Sequence, residues 1–172
     1  WYMDFLDAVD EKNVVWKYPK SGESFSLGEA DIKILAPNSS QYDNLNNYSV
    51  VTKITFGEVS ILSMGDAEKL SEDEILKADE EVKAQIIKIG HHGSSTSTSE
   101  KFLNAVNPKY AIISAKKGNT YNHPNKPVME LLKKREIKVY RTDESGSMIM
   151  KTDGKNIEFD KAVGDYLAGS EL

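Results

Sequence analysis

Asp66, His91, His92 and His123 are the side chains of this sequence best suited to holding a divalent cation. Ile86 to Ile89 forms an apolar run that leads straight into Gly90, His91, His92, Gly93, Ser94 and Ser95. A second run, Ile61 to Met64, ends in Gly65 and Asp66, and His123 stands between Asn122 and Pro124. Imidazole nitrogen and carboxylate oxygen together suit Zn²⁺, with Mn²⁺ where oxygen dominates. Strand ends presenting histidine and aspartate look like part of a metal site.

Each residue also has a plainer reading. Asp66 can simply cap the turn that follows it. Adjacent residues at a strand end point to opposite sides, so at most one of His91 and His92 is expected to ligate, the other packing or meeting substrate. Flanking Gly90 and Gly93 let the backbone approach a metal or phosphate closely. The hydroxyls of Ser94, Ser95, Thr96, Ser97 and Thr98 either cup an anion or serve as a capping cluster. Lys116, Lys117 and Asn119 lie just before His123 and form a small basic rim or plain solvated surface.

The positioning elements follow from periodicity and turn chemistry. Tyr2 to Glu11 reads as an amphipathic helix, and Val14 to Tyr18 as a strand. Ile32 to Leu35 is a strand closed by Pro37, after which Asn38 to Asn47 must be a surface loop. Ser49 to Phe56 and Val59 to Met64 pair as a hairpin across Gly57-Glu58. Ser71 is expected to cap a helix, with Glu74 completing a capping box. Beyond Ile86 to Ile89, helices over Ser99 to Val106 and Val128 to Arg135 alternate with strands over Tyr110 to Ser114 and Val139 to Arg141. Met148 to Lys151 and Ile157 to Phe159 form a second hairpin. Ala162 to Leu172 is a short helix or a frayed tail. Hairpins first and helix-strand alternation later imply an α+β fold with a mixed sheet and helices on one face.

The 172 residues carry 28% charged and 39% hydrophobic side chains, enough for a single domain with a core. A net charge of -5 excludes a generally basic nucleic-acid binder, so any nucleic-acid chemistry must be local. With no cysteine, disulfides, thiolate zinc sites and a cysteine nucleophile are excluded. No apolar run approaches the roughly 20 residues of a membrane span. The opening at Trp1 rather than methionine leads us to expect further sequence upstream.

Several segments, taken in order, resemble one family. These are Asn46 to Val51, Ser63-Met64-Gly65-Asp66-Ala67-Glu68, Lys88 to Ser94 with its His-His-Gly-Ser core, Asn122-His123-Pro124, Tyr140 to Asp143, and Gly146. They resemble the metallo-β-lactamase-fold domain of ComEC-type competence proteins and their stand-alone relatives, over roughly Phe25 to Phe159. The resemblance implies an αββα sandwich and a metal-dependent hydrolase of phosphodiester or phosphate-ester bonds, with DNA during uptake as one substrate. It implies that Asp66 bridges two Zn²⁺ or Mn²⁺ ions and that His92, or else His91, completes one shell. His123 would contact the scissile phosphate or protonate a leaving group, with Asn122, Ser94 and Ser95 near the substrate. It also implies a location outside the cell or tethered to the outer face of the membrane.

The family's principal metal motif, His-x-His-x-Asp-His or His-x-Asp-x-Asp-His, occurs nowhere in this sequence. A third-motif histidine is also replaced around Asn47. Residues 1–172 are therefore expected to be the C-terminal portion of a larger domain, binding metal weakly or not at all when alone and catalytically silent. Such a half would leave an apolar sheet face for an upstream half or a second copy to cover. The alternatives are a non-catalytic anion-binding or interaction module and a phosphocholine-type esterase.

Overall fold

The computed structural model describes residues 2–15, 17–78 and 81–171. Helix α1 (Tyr2–Glu11) buries none of its side chains. The chain then builds β1 (Ser24–Leu27), β2 (Ala30–Ala36), β3 (Val51–Phe56), β4 (Val59–Ser63), α2 (Lys69–Lys77) and β5 (Ile86–Lys88). It continues with α3 (Glu100–Val106), β6 (Tyr110–Ile113), α4 (Lys126–Lys134), β7 (Lys138–Arg141), the single turn α5 (Thr142–Ser145), β8 (Met150–Thr152) and β9 (Ile157–Phe159).

Strands β1 to β7 form one sheet in sequence order, antiparallel up to β4 and parallel from β4 onward. Three successive parallel crossovers of the usual right hand set α2, α3 and α4 on the same face. Under them lies the core, where Leu62, Ile87, Ile89, Ala111, Ile113 and Val139 of the sheet side meet Ile75, Phe102, Leu103, Met129 and Leu132 of the helices. The expected mixed sheet with helices on one face is the observed architecture.

The opposite face is apolar as well. Phe25, Ile32, Ile54, Ile61, Ile86 and Tyr110 are consecutive cross-strand partners and form one row across six strands. The β8–β9 hairpin covers the far end of this face, its Phe159 stacking on Tyr140 at 3.7 Å. Phe25 at the other end is 54% exposed, and Ile32, Ile54 and Ile61 are only half-buried. The chain exposes 10373 Å², against roughly 8,400 Å² for a compact monomer of its mass.

Two local expectations are revised and a third is met in part. Val14, Val15, Lys17 and Tyr18 form no strand, and Val15 and Tyr18 are 79% and 93% exposed; Trp16 lies outside the described residues. Instead, the edge strand is β1, which follows a turn at Ser21 and Gly22. Helix α2 begins two residues before Ser71, whose hydroxyl donates to Asn47 Oδ1 at 2.8 Å, while Glu74 accepts from the Tyr42 hydroxyl. Tertiary partners have taken both side chains of the expected capping box. The final segment ends in a single 3-10 turn, Gly169–Glu171, and the residues before it are irregular but held rather than frayed. The buried guanidinium of Arg141 donates to the Leu167 carbonyl at 2.6 Å and to Asp165 Oδ1 at 3.0 Å, strapping that segment down. Leu172 lies outside the described residues.

Candidate metal centre

Asp66, His91, His92 and His123 all emerge at one edge of the sheet, beyond the C-terminal ends of β4, β5 and β6. Open α/β sheets gather ligands at this edge. Asp66 occupies the turn after β4, with Gly65 at φ +56°. A Cβ on Gly65 would lie 3.0 Å from Ser49 Cβ, and the Ser49 hydroxyl accepts the Asp66 amide at 2.9 Å. The carboxylate is thus aimed by its own backbone.

His91 (φ 45°, ψ 47°) and His92 (φ 55°, ψ 19°) are both left-handed. Such a conformation costs a non-glycine residue about 1–3 kcal/mol, so the surroundings must impose it. The His91 amide donates to the Gly65 carbonyl at 3.0 Å, and the Ser97 hydroxyl donates to the Gly90 carbonyl at 2.8 Å. A Cβ on Gly90 would stand 2.9 Å from the Ala67 carbonyl oxygen. This conformation replaces the strand-end alternation expected from sequence. Both rings turn into the same cluster, their centroids 6.3 Å apart.

Their partners separate them. His92 Nδ1 lies 2.6 Å from the Ser114 carbonyl oxygen. A carbonyl only accepts, so Nδ1 carries a hydrogen, and in the neutral ring Nε2 is the atom left to ligate. That Nε2 lies 3.5 Å from Asp66 Oδ1. Two donors sharing one tetrahedral zinc, each bonded at roughly 2.0–2.1 Å, lie about 3.4 Å apart. A backbone carbonyl holding the far ring nitrogen is the usual support of a ligating histidine. The Asp66 and His92 pair therefore fits one corner of a metal site. His91 Nδ1 instead faces Glu68 Oε1 at 3.3 Å. The Glu68 carboxylate also accepts from Asn46 Nδ2 at 3.1 Å, Asn44 Nδ2 at 2.9 Å and Thr96 Oγ1 at 2.8 Å.

His123 completes the cluster, its ring 5.4 Å from His91 and 6.3 Å from His92. Burial, and then the two neighbouring imidazoles, push its pKa below the ordinary 6.5, with Asp66 opposing. Its amide donates to Asn119 Oδ1 at 3.0 Å. Pro124 beyond it presses on Gly93, where a Cβ would meet Pro124 Cβ at 2.6 Å. On the other side Gly169 of the C-terminal strap touches the His123 carbonyl so closely that a Cβ there would collide with it, and its amide donates to the Pro124 carbonyl at 2.8 Å.

The remaining expected site residues are engaged in the loops that carry this cluster. Ser94 is buried, its hydroxyl bonded to Thr96 Oγ1 at 3.0 Å, so it braces the loop. The Ser95 amide donates to Asn125 Oδ1 at 2.9 Å, tying the two histidine loops together. Asn122 is exposed and left-handed at φ 57°, its carbonyl accepting from Asn125 Nδ2 at 3.0 Å.

Two residues of the cluster carry no role in the sequence reading. Glu68 acquires one only through contact with His91, and no spacing rule announces it. Lys88 lies at the end of β5 on the apolar face opposite the helices. Burial lowers the pKa of its amine below 10.5, with Asp66 opposing. Among the described residues no group of three or more histidine, cysteine, aspartate or glutamate side chains could hold a metal ion.

No family model matches the chain. It is 37% identical over 143 residues to ComE operon protein 3 of Bacillus subtilis (strain 168), covering 83% of this chain and 18% of that protein. It is 35% identical over 119 residues to competence protein ComA of Neisseria gonorrhoeae, covering 69% of this chain and 17% of that one. Recombination protein 2 of Haemophilus influenzae is 37% identical over 116 residues, 67% of this chain and 14% of that protein. The chain thus spans less than a fifth of the length of these relatives. Among solved structures, a CmlA beta-hydroxylase variant superposes with a TM-score of 0.51 at 14% identity, covering 70% of this chain and 31% of that one. That likeness shows the metallo-β-lactamase-type fold and nothing of the reaction.

Proposed function

With competence proteins as its homologues and a metallo-β-lactamase-fold enzyme as its structural neighbour, we propose that this chain is the C-terminal part of a metal-dependent phosphodiesterase domain acting in DNA uptake. The single observation that carries the reading is Nε2 of His92 facing Asp66 Oδ1 at 3.5 Å, with Nδ1 held on the Ser114 carbonyl. Asp66 and His92 would hold Zn²⁺ or Mn²⁺. When bound, a pair of such ions supplies an activated water and neutralises charge on the attacked phosphate.

The chain's own residues do the rest. Ser49 and Gly65 aim the Asp66 carboxylate, and Ser114 fixes the ring plane and tautomer of His92. His91, held against Glu68, and His123, whose pKa is lowered by burial and then by its two neighbouring imidazoles, line the space beside the ligand pair. A lowered pKa favours the base form of His123, which can accept a hydrogen bond or a proton there.

The missing ligands come from an upstream half of the same domain in this reading. Support comes from the apolar row Phe25, Ile32, Ile54 and Ile61, left open on the face away from the helices, and from the excess exposed surface. A second layer laid over that row would bring its own donors to the Asp66 edge. Such domains would act on the outer side of the membrane. No described helix is long and apolar enough to cross one.

The test is Mn²⁺- and Zn²⁺-dependent cleavage of bis(p-nitrophenyl) phosphate and of a single-stranded oligonucleotide by the full-length protein. Activity should vanish in Asp66→Asn and His92→Ala. A folded full-length protein with no metal-dependent cleavage of either substrate sinks the proposal. One observation favours a second reading, a non-catalytic anion-binding module: the absence of a third ligand among the described residues. In that case Asp66→Asn leaves ligand affinity intact.

A further inference from the structure

Tyr121 is 75% exposed, yet its position is fixed. Its amide donates to Asn119 Oδ1 at 3.2 Å and its carbonyl accepts from Asn125 Nδ2 at 3.2 Å. Its ring stacks on His123, centroids 5.6 Å apart and planes inclined by 24°. His123 in turn lies within 19° of parallel to His92 at 6.3 Å. A stepped series of near-parallel rings therefore connects the ligand pair to an aromatic face open to water. Single exposed aromatics are ordinary on protein surfaces. One pinned at three points beside a candidate reaction centre is a preorganised platform for another flat ring.

The same loop brings positive charge. Lys116 and Lys117 are exposed, and among the described residues neither ammonium meets a carboxylate within ion-pair distance. The Lys116 carbonyl accepts from the amide of Asn119 at 3.2 Å and from its Nδ2 at 2.8 Å, folding this basic stretch back toward the pinned tyrosine. The chain as a whole is acidic at -5, so this pair is a local exception.

We propose that Tyr121 is the base-stacking residue of a single-stranded nucleic-acid subsite: the nucleobase beside the scissile phosphate stacks on the outer face of Tyr121, and Lys116 and Lys117 neutralise the flanking phosphates. The position of that phosphate rests on the hydrolase reading above. Stacking serves every base alike. It needs a base whose face is not already covered, which selects a single strand over a duplex. A phosphocholine headgroup has no ring to stack, so its recognition would be indifferent to this residue.

The experiment is fluorescence anisotropy in the absence of metal, using a short labelled oligothymidylate, an abasic oligomer of equal length, and phosphocholine as competitor. Wild type, Tyr121→Ala, Tyr121→Trp and Lys116→Ala/Lys117→Ala are compared after circular dichroism has established that each is folded. Tyr121→Ala should weaken oligothymidylate binding by about 5-fold to 100-fold and leave the abasic oligomer unchanged. Tyr121→Trp should retain affinity, and the double lysine variant should weaken both oligomers alike. The proposal is overturned if wild type binds no oligothymidylate, if Tyr121→Ala binds it as well as wild type, if both oligomers lose equally, or if phosphocholine displaces the oligomer. Retained Tyr121 dependence in a full-length protein that never cleaves with metal would sink the hydrolase reading alone.

Discussion

His92 donates its Nδ1 hydrogen to the Ser114 carbonyl at 2.6 Å, and this one bond decides which atom of the ring faces Asp66. Ser114 follows the end of β6, so the tautomer of a residue after β5 is set by the neighbouring strand. The sheet alone fixes the plane of this ring. His92→Ala should therefore cost the full-length protein at least the 10- to 100-fold in metal affinity typical of removing a ligand's support, and His91→Ala distinctly less. Isothermal titration of Zn²⁺ into the three proteins reads the order directly. Equal losses would show that the partition between Ser114 and Glu68 has no bearing on ligation.

Among the described residues the donors face each other in pairs, Asp66 with His92 and Glu68 with His91, and no group of three or more could hold a metal ion. The isolated chain should bind Zn²⁺ weakly, at one site, and should self-associate through the open apolar row. Titration calorimetry revealing two tight sites would overturn the partial-site reading. Light scattering showing a strict monomer at high concentration would mean that the row is covered in solution by the chain itself.

The C-terminal strap sets the place of His123. Gly169 has no room for a side chain against the His123 carbonyl, so Gly169→Val must push the strap or the loop away. The imidazole resonances of His123 should move, while those of His92, anchored on Ser114, stay. In the full-length protein kcat should fall more than metal affinity. Unchanged His123 resonances would show that the strap merely covers the sheet.

Arg141 is fully buried and bonded to Asp143 at 2.8 Å, to Asp165 and to the Leu167 carbonyl. Removing it as Arg141→Met would leave the Asp143 carboxylate buried without its partner, a loss of about 3–5 kcal/mol. Urea unfolding of the chain measures this. The double variant Arg141→Met/Asp143→Leu should recover much of the loss, since a buried pair is worth far less than the penalty of breaking it.

How far the sequence reaches is visible residue by residue. The placement of Asp66, His91 and His92 at one edge is legible because each closely follows a hydrophobic run of strand length, and a parallel sheet delivers such residues together; His123 reaches the same edge on the loop between β6 and α4. Helix positions α3 and α4 are likewise within a residue or two of expectation, anchored by Ser99 and Pro127. Glu68 is not legible, because its meaning is a contact with a histidine 23 positions on. The orientation of His91 and His92 is missed because a strand rule was applied to a left-handed turn imposed by Gly65 and Gly90. Val14 to Tyr18 has strand-like residues, but a strand needs a neighbour to bond with, and β1 takes the edge instead.

Glu72 offers a pH test removed from the metal site. It is buried, and burial raises its pKa above the ordinary 4.5 despite opposing hydrogen bonds from Ser99 and from the Thr98 amide. A carboxyl whose folded pKa exceeds its unfolded value binds its proton more tightly when folded. Its contribution is therefore fully present below about pH 4.5 and is lost as pH rises through the folded value. Glu72→Gln cannot ionise, so the stability difference between variant and wild type should shift in favour of the variant as pH climbs from 4 to 7. The absolute offset carries the altered bonding to the Thr98 and Ser99 amides, which a carboxamide oxygen can still accept but without the charge. Denaturant unfolding at several pH values separates slope from offset. A difference that stays flat, or that moves toward wild type with rising pH, would mean those two amides hold the carboxylate charged and that burial is the lesser force.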